Sequence, residues 1–348
     1  MPDSQDLTML LVGDVRVVRD DPPAAFKYVR ERMRSADFML GNLEGSMSDS
    51  GAMWPKGGVG GSWKSDARQI AAIESAGFNA MNVANNHAMD YGYEALAESM
   101  RHLDRLGVAH TGGGRTFCEA HAPAIVERKG CRVALLGYTT LYIRGWEVGP
   151  ESPGVAVLRG GTAYEPAPKF FEGPGRPAII HSWILPEDEA QLAADIAAAR
   201  TQADIVICTF HWGVSGGFIN LTEYQPALGR HAIDAGADLV FGHHPHVLQG
   251  IEVYKGRGIF YSLGNFVFDS KNQSPVHGLE KMIVRCGIRN KKINTLEYLP
   301  VLDVQRTPKV VPLAEAAAVI DVVNNRSAQF GTRFVAQGDA MRVVMGPA

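Results

Sequence analysis

The chain has 348 residues, 46% hydrophobic and 20% charged, with a formal net charge of −3. That composition suits a soluble globular enzyme with a sizeable core, and the near-neutral, evenly mixed charge argues against a basic surface for nucleic acid. The polar, acidic N-terminus and the absence of any run of 18 apolar residues argue against a signal peptide and a membrane-spanning helix, so the chain reads as cytoplasmic and without a membrane partner. The four cysteines, Cys118, Cys131, Cys208 and Cys286, are far apart and form no CxxC pair. A zinc knuckle and a thioredoxin motif are thereby excluded, and a reducing compartment fits.

Taken in order, residues 8–13 read as a buried strand ending at Asp14, and Pro22-Pro23 opens a helix carrying Phe26, Val29 and Met33 at helical spacing. Residues 37–40 form a short strand. A helix over 65–76 has Ser65 as its N-cap and Gly77 as its stop, and a strand follows over 78–83. The helix over 93–106 is closed by Gly107. Residues 124–128 and 131–137 flank a tight Lys129-Gly130 turn and read as a hairpin. Residues 139–185, rich in Pro and Gly, read as an irregular excursion rather than a second domain. Helix returns over 186–200 and 223–235, alternating with strands over 204–210 and 238–241. The segments 247–254, 258–263, 281–289 and 292–299 are mostly β, and 314–324 is a last helix. The pattern is that of one α/β domain over 1–348, with a β-rich extension at 271–348 and mixed sheets.

Polar residues recur where these strands stop. Asp14 follows the first, Asn42 and Glu44 the second, Asn85, Asn86 and His87 the third. His211 follows the strand over 204–210, and His243, His244 and His246 follow the next. In α/β sheets ligands bind outside the carboxyl ends of strands, so the five clusters are placed to converge. Carboxylates, an amide oxygen and imidazoles suit Zn, Mn, Fe or Ca, and not copper(I) or an iron–sulfur cluster. His102, His110, His121, His181, His231 and His277 lack such company and read as structural or surface residues.

The motifs VGD, GNLE, ANNHAMDYG, HWG, GADLVFGHHPHVLQGIEVY and YSLGNFVFD, spread over residues 8–270, resemble the CapA/PgsA family, named for poly-γ-glutamate capsule synthesis. That resemblance implies a calcineurin-like metallophosphoesterase fold, a four-layer αββα sandwich of two mixed sheets flanked by helices. It also implies metal ligands at Asp14, Glu44 (or Asn42), Asn86, His211, His244 and His246. His87 matches a histidine that does acid–base work, and His243 has no assigned role. The sequence departs from the wider pattern at three points. The first loop usually reads Asp-x-His, and here Asp14 is followed by Val15 and Arg16. Glu44 stands where an aspartate is usual, and Asn85 where a glycine precedes the Asn-His pair. One divalent ion, or one tight and one weak, is therefore expected.

Asp90 reads as the cap of the following helix, with an orienting role beside His87 as the alternative. Asn265 reaches the site or satisfies a turn. The glycine-rich stretch 56–65 is no P-loop, because Trp63 precedes Lys64 where glycine is required. It reads as a flexible lid carrying Trp54 and Trp63 as substrate contacts. Arg16, Lys64 and Arg144 are candidate receptors for a carboxylate or phosphate, or else ordinary surface charge. The first functional reading is a hydrolase, with metal-activated water attacking an ester, amide or phosphoester of a small or peptide-like anion while His87 protonates the leaving group. A second is a metal-dependent peptide or amino-acid epimerase using Asp14 with His246 or His87 as paired bases at Cα. A third is a non-catalytic subunit of poly-γ-glutamate capsule assembly.

Overall fold

The computed structural model describes residues 6–55, 62–166, 178–215, 219–269 and 279–346. Period-two alternation in the strands explains its layering. In the first strand, Leu7–Arg16, Met9 and Leu11 point one way and Leu10 and Val12 the other, yet all four are buried. Met9 and Leu11 join Phe38, Leu40, Leu135, Ile207 and Phe241 in a core between two sheets. Leu10 and Val12 pack instead on Met33, Ile73, Leu96 and Leu103 of an outer helical layer. The strand Ile205–His211 repeats this in the second sheet. Ile205 and Ile207 face the first sheet, while Val206, Cys208 and Phe210 meet Leu192, Ile196, Leu228 and Ala232 of the helices Pro186–Arg200 and Tyr224–Asp234. Strands buried on both faces read as unbroken apolar runs. The result is the four-layer αββα sandwich that the resemblance implies.

Among the described residues the first sheet has ten strands and the second six. At the heart of the first, Leu7–Arg16 pairs in parallel with Phe38–Leu43, which pairs in parallel with Ala80–Asn82. In the second, Ile205–His211 lies parallel between Cys131–Thr139 and Leu239–His243. All these strands end on the same side of the molecule as the candidate site, which is where their polar C-terminal residues gather. The hairpin at Lys129-Gly130 forms as expected, both residues having positive φ. Gly77, with φ 78°, also stops its helix as expected. Cys208 is a small buried hydrophobe, and all four cysteines are free. No described helix is long and apolar enough to cross a membrane.

Several local expectations differ. The helix after Pro22 is split into a 3-10 turn, Pro22–Phe26, and an α-helix, Arg30–Ser35, with Val29 off helical geometry at φ −121°. Phe26, Val29 and Met33 are still buried, so packing keeps the spacing that the helix does not. Ser65 is not a cap: it pairs in a short parallel bridge, Lys64–Ser65 with Ser46–Met47, and the helix proper is Ile70–Ala76. The excursion contains an ordered antiparallel ribbon, Gly160–Glu165 with Ile179–Ile184. The C-terminal strand Glu280–Arg289 pairs directly with Leu7–Arg16, so this region is built into the first sheet. Asn265–Phe268, unexpected from the sequence, runs parallel to the first strand and sets Asn265 opposite Asp14.

That last pairing depends on Gly13. A Cβ added there would lie 1.9 Å from the carbonyl oxygen of Gly264, which accepts the Asp14 N–H at 2.9 Å. Gly13→Ala should therefore cost about 1–3 kcal/mol, as overpacking does. A thermal unfolding midpoint lower by several degrees would bear this out; an unchanged midpoint would mean that the two strands do not close so tightly.

Candidate metal centre

Asp14 lies fully buried near the end of its strand, and its two oxygens are held separately. Oδ1 accepts from Asn42 Nδ2 at 2.8 Å, and Oδ2 accepts from the backbone N–H of His244 at 3.2 Å. Asn42 Oδ1 in turn accepts from Asn82 Nδ2 at 2.9 Å. Both ends of the Asn42 amide are thus engaged, which makes it a brace for Asp14 rather than a donor to a metal. Asn85 is a second brace. Its oxygen accepts from the N–H groups of Gly45 and His87, and its Nδ2 donates to the Leu43 carbonyl at 2.7 Å. It locks the loop carrying Glu44 to the loop carrying His87.

Against this frame the expected donors converge. Atoms of Asp14, Glu44 and His246 lie within 4.8 Å of one another, all buried. His246 Nε2 is 3.7 Å from Glu44 Oε1, and His211 Nε2 is 4.0 Å from the same oxygen. Asn86 Oδ1 is 2.8 Å from His211 Nε2. The His244 ring lies 4.9 Å from that of His211, centroid to centroid. His244 and His246 have φ of 94° and 59°, so the Gly242–His246 turn is wound through the left-handed region twice. Asn265 does reach the site: its Oδ1 accepts from His246 Nδ1 at 2.8 Å, which turns Nε2 toward Glu44. His243, unassigned by sequence, sets Nδ1 3.0 Å from Asp14 Oδ1, out of line for a hydrogen bond.

His87 is buried as well. Its Nδ1 is 2.7 Å from Asp90 Oδ2, which also accepts the Trp63 N–H at 2.6 Å. The Trp63 ring stacks on the imidazole with centroids 3.6 Å apart. Asp90 is therefore an orienter of His87, not a cap; the helix Gly92–Arg105 starts with no side-chain cap bond. Trp54 packs edge-on against buried Trp146. Residues 56–61, the glycine-rich part of the expected lid, lie outside the described residues.

The electrostatics suit a cation. Burial, followed by the charge of Asp14, pushes the Glu44 carboxyl well above the usual range. Neither of its oxygens has a hydrogen-bond partner among the described residues, nor do His244 Nδ1 and His243 Nε2. Burial also tends to raise Asp14, but the His243 and His246 imidazoles and the Asn42 amide outweigh it and hold the carboxyl low. Burial and the neighbouring His244 hold His211 well below its ordinary range. Burial, then His246, draws His244 down to about 3. Neutral imidazoles suit a divalent ion, and a buried carboxylate without a hydrogen-bond partner is costly without one. The residues present fit such an ion.

Without metal, Glu44 binds its proton more tightly folded than unfolded. Its contribution to stability is then greatest at low pH and is lost as pH rises from the unfolded value, about 4.3, through the raised folded one. Chelator-treated Glu44→Gln should thus unfold at a higher temperature than chelator-treated wild type at pH 7. The gap should close toward pH 4, and the variant should gain less stability than wild type on adding metal. A variant no more stable than wild type at pH 7 would contradict this.

The model of the family described as bacterial capsule synthesis protein PGA_cap matches residues 8–270. The capsule biosynthesis protein CapA of Bacillus anthracis is 28% identical over 322 residues, 90% of this chain and 71% of that protein. An uncharacterized protein of Sinorhizobium fredii is 32% identical over 304 residues, 75% of this chain and 66% of its own. Among solved structures, the calcineurin-like phosphoesterase YfkN from Bacillus subtilis aligns with a TM-score of 0.40 at 12% identity, over 88% of this chain and 89% of that one. With three quarters of its length matched by one family model, this chain belongs to the bacterial capsule synthesis protein family, PGA_cap.

Proposed function

We propose that the chain is a metal-dependent hydrolase that cleaves an ester, amide or phosphoester in a small or peptide-like anionic substrate. The observation that carries this reading is Glu44: a buried carboxylate without a hydrogen-bond partner among the described residues, facing Asp14 and His246. Asp14, Glu44, Asn86, His211, His244 and His246 would hold the ion, and so histidine-rich a set favours Zn, Mn or Fe over Ca. The chemistry such an ion would supply is polarisation of the scissile group and acidification of water.

The remaining chemistry belongs to the chain. Asp90 fixes the tautomer and orientation of His87 through Nδ1, so Nε2 is the atom that exchanges a proton with the leaving group. The Trp63 ring keeps the imidazole in one plane and covers one of its faces. Asp14 and His246 take ligand roles, which leaves proton transfer to His87. The relatives' names tie the family to capsule biosynthesis, so capsule-type polymers and their precursors are the first substrates to screen.

His87→Ala should retain metal, measured by elemental analysis, and lose about 10²- to 10⁴-fold in kcat. Asp90→Asn should fall in the same direction by less. Full activity in His87→Ala would remove it from the mechanism. Deuterium entering the substrate at Cα without bond cleavage would replace hydrolysis by epimerisation. Metal uptake with no turnover on any substrate of the screen would favour an assembly subunit.

A further inference from the structure

Of the three cations that the sequence offers as anion receptors, two are accounted for elsewhere. Lys64 Nζ donates to the Ser50 carbonyl at 3.0 Å and lies over the Tyr91 ring. Arg144 is exposed on the excursion. Arg16 is different. It is half-buried, two residues after Asp14, and its guanidinium lies 5.1 Å from the Trp63 ring and 5.9 Å from the Phe268 ring. Those rings in turn touch the site: Trp63 stacks on His87, and Phe268 lies 4.8 Å from His246. Arg16 thus sits across an aromatic pair from the proposed acid and a proposed ligand.

Its polar contacts are few. The guanidinium donates from one terminal nitrogen to the Asp269 carbonyl, and it has no carboxylate ion-pair partner among the described residues. Asp269 spends its carboxylate on Arg19, at 2.6 and 2.9 Å. Glu44, Asp269 and Asp90 lie near enough to act on its charge, but none of them forms an ion pair with it among the described residues, so its planar donor edge is open to a ligand. A single guanidinium fork fits the two oxygens of a carboxylate.

We infer that Arg16, lying against the Trp63–Phe268 ring pair that borders the candidate metal centre, receives a carboxylate of the substrate and makes the site selective for acidic, peptide-like molecules. The inference rests on the hydrolase reading above and names its substrate class.

The test is calorimetric titration of metal-loaded protein with N-acetyl-alanyl-alanine, with its C-terminal amide and with inorganic phosphate. In the wild type the free acid should bind about tenfold or more tightly than the amide. Arg16→Met should lose that preference with its metal content unchanged. Arg16→Lys, which keeps the charge without the fork, serves as a second variant and should lose most of it. Equal affinity for acid and amide in the wild type, or a preference that survives both substitutions, overturns the assignment. Phosphate bound more tightly than the acid, and lost with Arg16→Met, overturns the carboxylate class. Wild-type protein that takes up no metal counts against the hydrolase reading instead, and the acid-to-amide comparison on metal-free wild type and Arg16→Met then decides Arg16 separately.

Discussion

The structure depends on keeping one carboxylate, Asp14, fully buried at the seam between two sheets. Burial of a charge is tolerated only where hydrogen bonds and opposite charge replace water. Here a relay of amides does so, Asn82 to Asn42 to Asp14, with one asparagine from each of two strands parallel to the first. The relay shapes its surroundings. Gly137 of the second sheet lies so near that an added Cβ would stand 2.2 Å from Asn82 Oδ1, and at Gly112 it would stand 2.7 Å away. Glycine at those positions is the space the relay occupies. The two sheets approach as they do because these small residues let a polar chain run between otherwise apolar faces.

Much of this was legible in sequence because the informative residues lie at strand ends. Alternation of buried residues is a local signal, as is a histidine run directly after an apolar strand. The polar clusters at the strand ends could thus be named from local signals, while their ligand roles came from the resemblance to the CapA/PgsA family. What was not legible depends on partners far away in the chain. Asp90 reads as a cap because it precedes a helix, but its carboxylate is claimed by His87 and by Trp63, 27 residues earlier. Asn82 sits inside a short strand and gives no sign of reaching Asn42, 40 residues away. Asn265 reads equally as a turn residue until its strand is laid against Leu7–Arg16. The split helix after Pro22 shows the converse, a correct packing pattern realised on an incorrect local geometry.

The candidate centre draws on both sheets. Asp14 and Glu44 come from the first, His211, His244 and His246 from the second, and Asn265 from a strand that returns to the first. An ion there would join the two halves of the sandwich at one end, beyond the reach of the apolar core between the sheets. The loops are held in register by Asn85 and by Asp14 with its amide relay, while Glu44 between them has no hydrogen-bond partner among the described residues.

The winding of the Gly242–His246 turn carries a consequence for how this region can change. His244 and His246 both occupy backbone conformations that most L-residues avoid, and asparagine is among the few that adopt them readily. At these two positions the side chain and the backbone are under separate demands. A β-branched replacement would lose the imidazole and also oppose the turn, whereas asparagine would lose the imidazole alone. Sequence drift here is confined to a narrow corridor. A chain without the two imidazoles could keep the loop with asparagine or glycine at these positions.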